Sequence, residues 1–171
     1  NEGSNWEAAM SAAKHKLDRI VFIIPFTSII EQNAQAIRDC FDTDPELKEW
    51  VLEHHSNLDP EDQTWKSKLV SENWDSPIVF TTSVQLLEAL FAGGTRSVRR
   101  LHPLAKSVLI FDEIQALPIQ CVRMFCHSMN FLAEHCNSTI LLCSATQPTL
   151  NQLSSPEKGV IRFGENAEIV P

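Results

Sequence analysis

The chain has 171 residues, with 14 Lys and Arg against 22 Asp and Glu, a formal net charge of −8. That length suits one domain with a substantial core, and 43% hydrophobic with 21% charged residues is ordinary for a soluble globular protein. No apolar run approaches the ~20 residues that cross a bilayer, so no membrane partner is expected, and the acidic total argues against nucleic-acid binding driven by bulk charge.

The five cysteines, Cys40, Cys121, Cys126, Cys136 and Cys143, form no C-x-x-C pair. They read as reduced, mostly buried thiols of a cytoplasmic protein. Spacing for a zinc site is lacking. His54 and His55 are adjacent on an expected strand and would point to opposite faces, so they are poorly placed to share a metal.

Residues 1–18 begin polar and become a helix, with Trp6, Ala9, Met10, Ala13 and Leu17 at helical spacing. Arg19 to Ile24 is a strand stopped by Pro25. A helix from about Ile29 to Cys40 follows, with Thr27 or Ser28 as N-cap and Glu31 completing a capping box with Ser28. Residues 42–75 are polar, with a short helix near 45–50, a strand near Val51 to His54 and a helix near 60–72. Pro77 to Thr81 is a buried strand. A helix from Val84 to about Phe91 ends at Gly93-Gly94. Arg96 to Lys106 is a basic loop or short helix.

Ser107-Val108-Leu109-Ile110-Phe111 is four apolar residues out of five, the pattern of a strand buried on both faces. It ends in Asp112-Glu113. Pro118 opens a long helix to about His135, with Ile119, Val122, Cys126, Met129 and Ala133 on one face. Thr139 to Cys143 is the last clear strand. A short helix starts at Pro148, and Ile161-Arg162-Phe163 is a closing edge strand.

Strands alternating with helices predict an α/β domain: a three-layer sandwich around a mainly parallel sheet. In such a fold the loops after the strands share one rim, where ligands bind. Pro25-Phe26-Thr27-Ser28, Thr81-Thr82-Ser83, Asp112-Glu113 and Ser144-Ala145-Thr146 all follow apolar strands, so all four should meet there. Of two adjacent acids on that rim, one can hold Mg²⁺ against nucleotide phosphates and the other can position or deprotonate an attacking water. The simpler alternative is that acids favour the first turn of a helix.

These four segments, with Val84-Gln85 and Ile114-Gln115, resemble motifs Ia, Ib, II and III of the first RecA-like domain of a superfamily 2 (DEAD/DEAH-box) helicase. More narrowly, Ile24-Pro25-Phe26-Thr27-Ser28-Ile29-Ile30-Glu31-Gln32-Asn33 resembles the CRISPR-associated helicase–nuclease of type I systems. So do His54-His55-Ser56-Asn57, Glu72-Asn73-Trp74-Asp75-Ser76-Pro77-Ile78-Val79 and Asp112-Glu113-Ile114-Gln115-Ala116-Leu117-Pro118. The likeness covers nearly all of residues 14–150. The phosphate-cradling G-x-x-x-x-G-K-[ST] loop is not found. The nearest stretch, Glu2 to Glu7, has no lysine and no second glycine. We expect residues 1–171 to be one RecA-like domain that begins just past that loop.

The resemblance implies ATP and Mg²⁺ as cofactors, with Asp112 holding Mg²⁺ through water and Glu113 activating the hydrolytic water. It implies coupling roles for Gln115, Ser144, Ala145 and Thr146. It places Thr27, Ser28, Thr82 and Ser83 on the nucleic-acid backbone, where hydroxyls and helix N-termini grip phosphates without reading bases; each could instead serve only as a helix cap. Implied partners are single-stranded DNA, a CRISPR RNA-guided surveillance complex, and a second RecA-like domain and an HD nuclease domain of the full-length protein. The expected activity is ATP-dependent strand translocation in antiviral defence, with the isolated fragment weakly active or inactive. Another superfamily 2 DNA or RNA helicase, or a non-catalytic adaptor, are the alternatives. Arg96, Arg99, Arg100 and Lys106 form the one basic cluster, suited to a strand, a partner protein or solvent. Trp50, Trp65 and Trp74 are expected in packing roles.

Overall fold

The structure is a computed structural model that describes residues 17–41, 45–55 and 70–144. Five parallel strands form one sheet: β1 (Arg19–Ile24), β2 (Val51–His54), β3 (Ile78–Thr82), β4 (Ser107–Phe111) and β5 (Thr139–Leu142), in the order β2-β3-β1-β4-β5. The registers are even, with Ile24 beside Thr82, Ile23 beside Phe111 and Phe111 beside Leu142.

Alternate residues of each central strand feed opposite faces. Phe22, Ile24, Phe80, Val108 and Ile110 pack against Ile30 and Ala34 of α1 (Thr27–Cys40). Val21, Ile23, Val79, Leu109 and Phe111 pack on the other face. They meet Leu86 and Ala89 of α3 (Ser83–Phe91) and Phe125, Cys126, Met129 and Leu132 of α5 (Val122–His135). Apolar packing on both faces is why these strands read as unbroken hydrophobic runs. The result is the three-layer α/β sandwich expected from the sequence. Two smaller helices, α2 (Pro45–Lys48) and α4 (Thr95–Leu101), lie in the connections. Among the described residues no helix is long and apolar enough to cross a membrane.

Several expectations are corrected. The long helix does not start at Pro118. A 3₁₀ turn over Ile119–Cys121 precedes α5, and its tighter winding shifts the phase of the apolar stripe. Ile119 is therefore 83% exposed and Ala133 faces solvent, while Phe125 and Leu132 point inward. The thiols are not mostly buried: Cys126 is, Cys40 is exposed and the other three are intermediate. Trp74 is fully buried but Trp50 is half exposed. Residues 96–106 are α4 and a 3₁₀ turn (His102–Leu104). The expected elements in residues 1–16, at 60–69, at Pro148 and at 161–163, and Trp65, lie outside the described residues.

Candidate functional site

Parallel pairing in even register brings the ends of β1, β3, β4 and β5 to one edge. Loop hydrogen bonds knit that edge. The Asp112 amide donates to the Ile23 carbonyl (3.0 Å), the Ile114 amide to the Cys143 carbonyl (3.2 Å) and the Cys143 amide to the Phe111 carbonyl (2.7 Å).

Asp112 and Glu113 emerge there half-buried. Glu113 does not start a helix in the way acids usually do. It precedes a 3₁₀ turn (Ile114–Ala116) with φ 54° and ψ 51°, and makes no capping bond. A left-handed conformation in a non-glycine residue costs roughly 1–2 kcal/mol, and such strain gathers at working sites. The twist turns the Glu113 carboxylate to Gln115, whose Nε2 donates to Glu113 Oε2. Gln115 Oε1 in turn accepts from the Ser144 hydroxyl at 2.6 Å. A chain of hydrogen bonds therefore runs from the end of β5 to the second acid of β4. Ala145 and Thr146 lie outside the described residues.

The hydroxyls of the other two loops differ from one another. Neither Thr27 nor Ser28 caps α1, and the capping box with Glu31 does not form. The N-cap is Phe26, extended at φ −121° and ψ 130° after Pro25, so the helix begins one residue earlier than a Thr27 cap requires and two earlier than a Ser28 cap requires. Thr82 is a true N-cap, and its hydroxyl accepts from the Gln85 amide at 3.2 Å. Ser83 opens α3 half-buried beside it.

A polar cluster at the ends of β2 and β3 escaped the sequence reading. The Thr81 hydroxyl donates to the His54 carbonyl at 3.0 Å. The Trp74 ring meets the His54 imidazole edge-on at 5.7 Å. Burial, followed by the charges of Arg100 and His55, pushes the His54 pKa down to about 4, against a backbone hydrogen bond that raises it. Arg100 is not a surface residue of a basic patch: it donates to Gln85 and to the Glu72 carbonyl and stacks on Trp74. A tryptophan 26 positions ahead gave no sequence signal for that contact.

The donor chemistry suits a nucleotide with a hard cation. Mg²⁺ takes oxygen ligands and binds through one or two carboxylates plus phosphates and water. Among the described residues no three acid, His or Cys side chains converge to hold an ion alone. An ion at Asp112 would draw its remaining ligands from phosphate and water.

Sheet order, parallel register and an acid-bearing rim at the strand ends define a RecA-like α/β domain. The chain belongs to the family of type III restriction enzyme res subunits, which it matches over residues 7–149. It is also 28% identical, over 146 residues, to the CRISPR-associated nuclease/helicase Cas3 of Haloferax volcanii. That match covers 77% of this chain but 16% of the relative, so the chain spans about a sixth of the relative's length.

Proposed function

We propose that this domain is the first RecA-like half of an ATP-dependent translocase on single-stranded DNA, acting in CRISPR interference. The observation that carries the reading is the hydrogen-bonded path Ser144–Gln115–Glu113, which joins the loop after β5 to the acid best placed to activate water. The likeness to a CRISPR-associated nuclease/helicase supports the biological setting.

Asp112 would hold Mg²⁺ through water, and the ion would neutralise the outer phosphates of ATP. Glu113 orients the attacking water and accepts its proton. Gln115 fixes the Glu113 carboxylate. Ser144, by gripping Gln115, lets movement after β5 alter that grip, and Ala145 and Thr146 continue the same coupling loop. Thr27, Ser28, Thr82 and Ser83 hold the strand by its phosphates, which suits movement along any sequence. A guide-RNA surveillance complex, a second RecA-like domain and an HD nuclease domain are the partners of this reading, and the cytoplasm is its setting. Residues 1–171 alone hydrolyse ATP weakly or not at all.

The test is ATP hydrolysis by the intact polypeptide, with Glu113→Gln beside wild type. Loss of a general base should lower turnover about 10²- to 10⁴-fold while nucleotide binding persists. Stimulation by single-stranded DNA above RNA is expected. Wild-type turnover in Glu113→Gln would overturn the assignment, and preferential stimulation by RNA would reassign the substrate.

A further inference from the structure

Arg100 is not one of the rim residues, yet three segments converge on it: the end of β2, residues 72–74 and α3. Its Nε donates to the Glu72 carbonyl at 3.2 Å, and a terminal nitrogen donates to Gln85 Oε1 at 3.2 Å. Its guanidinium carbon lies 5.8 Å from the centroid of the Trp74 ring, and its charge reaches His54. A planar guanidinium held by its ring face and two edges has little freedom left.

Gln85 is the link to the rim. Its amide is the one that Thr82 caps, and its Nε2 donates to Glu88 Oε2 at 3.0 Å. Backbone cap, helix side chain and guanidinium therefore meet in the first turn of α3. A phosphate at that turn needs its free amides and the neighbouring Ser83 hydroxyl aimed at one point. Hydroxyls and amides on a turn with only its own hydrogen bonds would fray.

We propose that Arg100 is a positioning residue for the nucleic-acid track: through Gln85 it holds the Thr82–Ser83 turn in phosphate-binding geometry. This rests on the reading of Thr82 and Ser83 as strand contacts. Arg100 acts through the Gln85 side chain. Two of its donor groups are spent on the protein, and a third face is covered by Trp74. Lysine at this position keeps the charge but cannot reach Glu72 and Gln85 together.

The experiment measures ATP hydrolysis by the intact polypeptide as a thirty-residue oligo(dT) is titrated. Arg100→Lys and Gln85→Met should each raise the half-saturating oligonucleotide concentration about 10- to 100-fold, the size of one hydrogen bond to a charged group. Turnover at saturation should change less than about twofold, and the KM for ATP should not move. The double variant should be no worse than the poorer single one, because both remove one contact. The salt dependence of oligonucleotide binding should match wild type.

A slope shallower by about 0.7, the value for one phosphate on a single strand, would make Arg100 a direct contact and overturn the proposal. Additive losses, or lower turnover at unchanged half-saturation, would overturn it as well. Thr27→Ala and Thr82→Ala separate the two layers. If neither raises half-saturation, the track itself is misassigned and both readings fall. If they do and Arg100→Lys does not, only the role of Arg100 fails.

Discussion

The Ser144 hydroxyl donates to Gln115 Oε1 at 2.6 Å, across the gap between the ends of β5 and β4. Gln115 is thereby oriented with its Nε2 toward Glu113, so one amide side chain reads both strand ends. Ser144→Ala should remove the link at little cost to folding, below about 1 kcal/mol for an exposed hydrogen bond. ATP turnover in the intact polypeptide should survive within several-fold, while DNA moved per ATP falls by more. Equal loss of both in a strand-displacement assay would contradict the coupling role.

Glu113 has a positive φ of 54°. Glycine adopts that conformation without a steric cost, though it loses more entropy on folding. Glu113→Gly should therefore leave stability unchanged or raise it by up to about 1 kcal/mol, and abolish hydrolysis. Glu113→Val should destabilise by about 1–2 kcal/mol, since a β-branched residue suits that region poorly. Urea midpoints of the two variants check the contrast.

Thr82 caps a helix and Thr27 does not. Thr82→Ala should cost about 1 kcal/mol, the usual worth of an N-cap. Thr27→Ala and Ser28→Ala should cost less than about 0.5 kcal/mol, as surface changes do. Thermal melts of the three variants decide it, and an equal loss at Thr27 would argue for a cap that the structure does not contain.

Phe125 is fully buried and meets the Phe111 ring edge-on at 4.9 Å, whereas Ile119 is 83% exposed. Phe125→Ala should cost about 3–5 kcal/mol through lost burial and a residual cavity. Ile119→Ala should change stability by less than about 0.5 kcal/mol. A large loss at Ile119 would mean that the helix starts at Pro118 after all.

His54 gives stability a pH dependence. Its folded pKa, about 4, lies below the usual 6.5. Between those values the unfolded chain binds a proton that the folded chain refuses. The contribution is therefore fully present above pH 6.5, declines as pH falls and is lost by about pH 4, amounting to at most a few kcal/mol. His54→Phe should flatten the stability profile in this window by up to one proton equivalent. An unchanged slope in denaturant titrations at pH 7, 6, 5 and 4.5 would count against a neutral, half-buried imidazole.

The sequence by itself determined the strands, their parallel arrangement and the rim. Runs such as Val108 to Phe111 are local signals, and a strand apolar on both faces has few homes other than the middle of a layered sheet. Asp112, Glu113, Gln115 and Ser144 followed as neighbours because parallel strands end together. Tertiary structure alone decided what each side chain does with its neighbours. It sent Arg100 inward to Glu72 and Gln85, 28 and 15 residues away, when its spacing with Arg99 suggested a surface cluster. It made Thr82 a cap and left Thr27 and Ser28 without that task, since the backbone at Phe26 entered α1 early. It moved the buried stripe of α5 to Phe125 and Leu132, and it gave Glu113 its left-handed turn. The physical reason is common to all four. Burial and period are properties of a short stretch, whereas a hydrogen-bond partner, a helix phase or a strained φ is chosen by atoms that only the folded chain brings near.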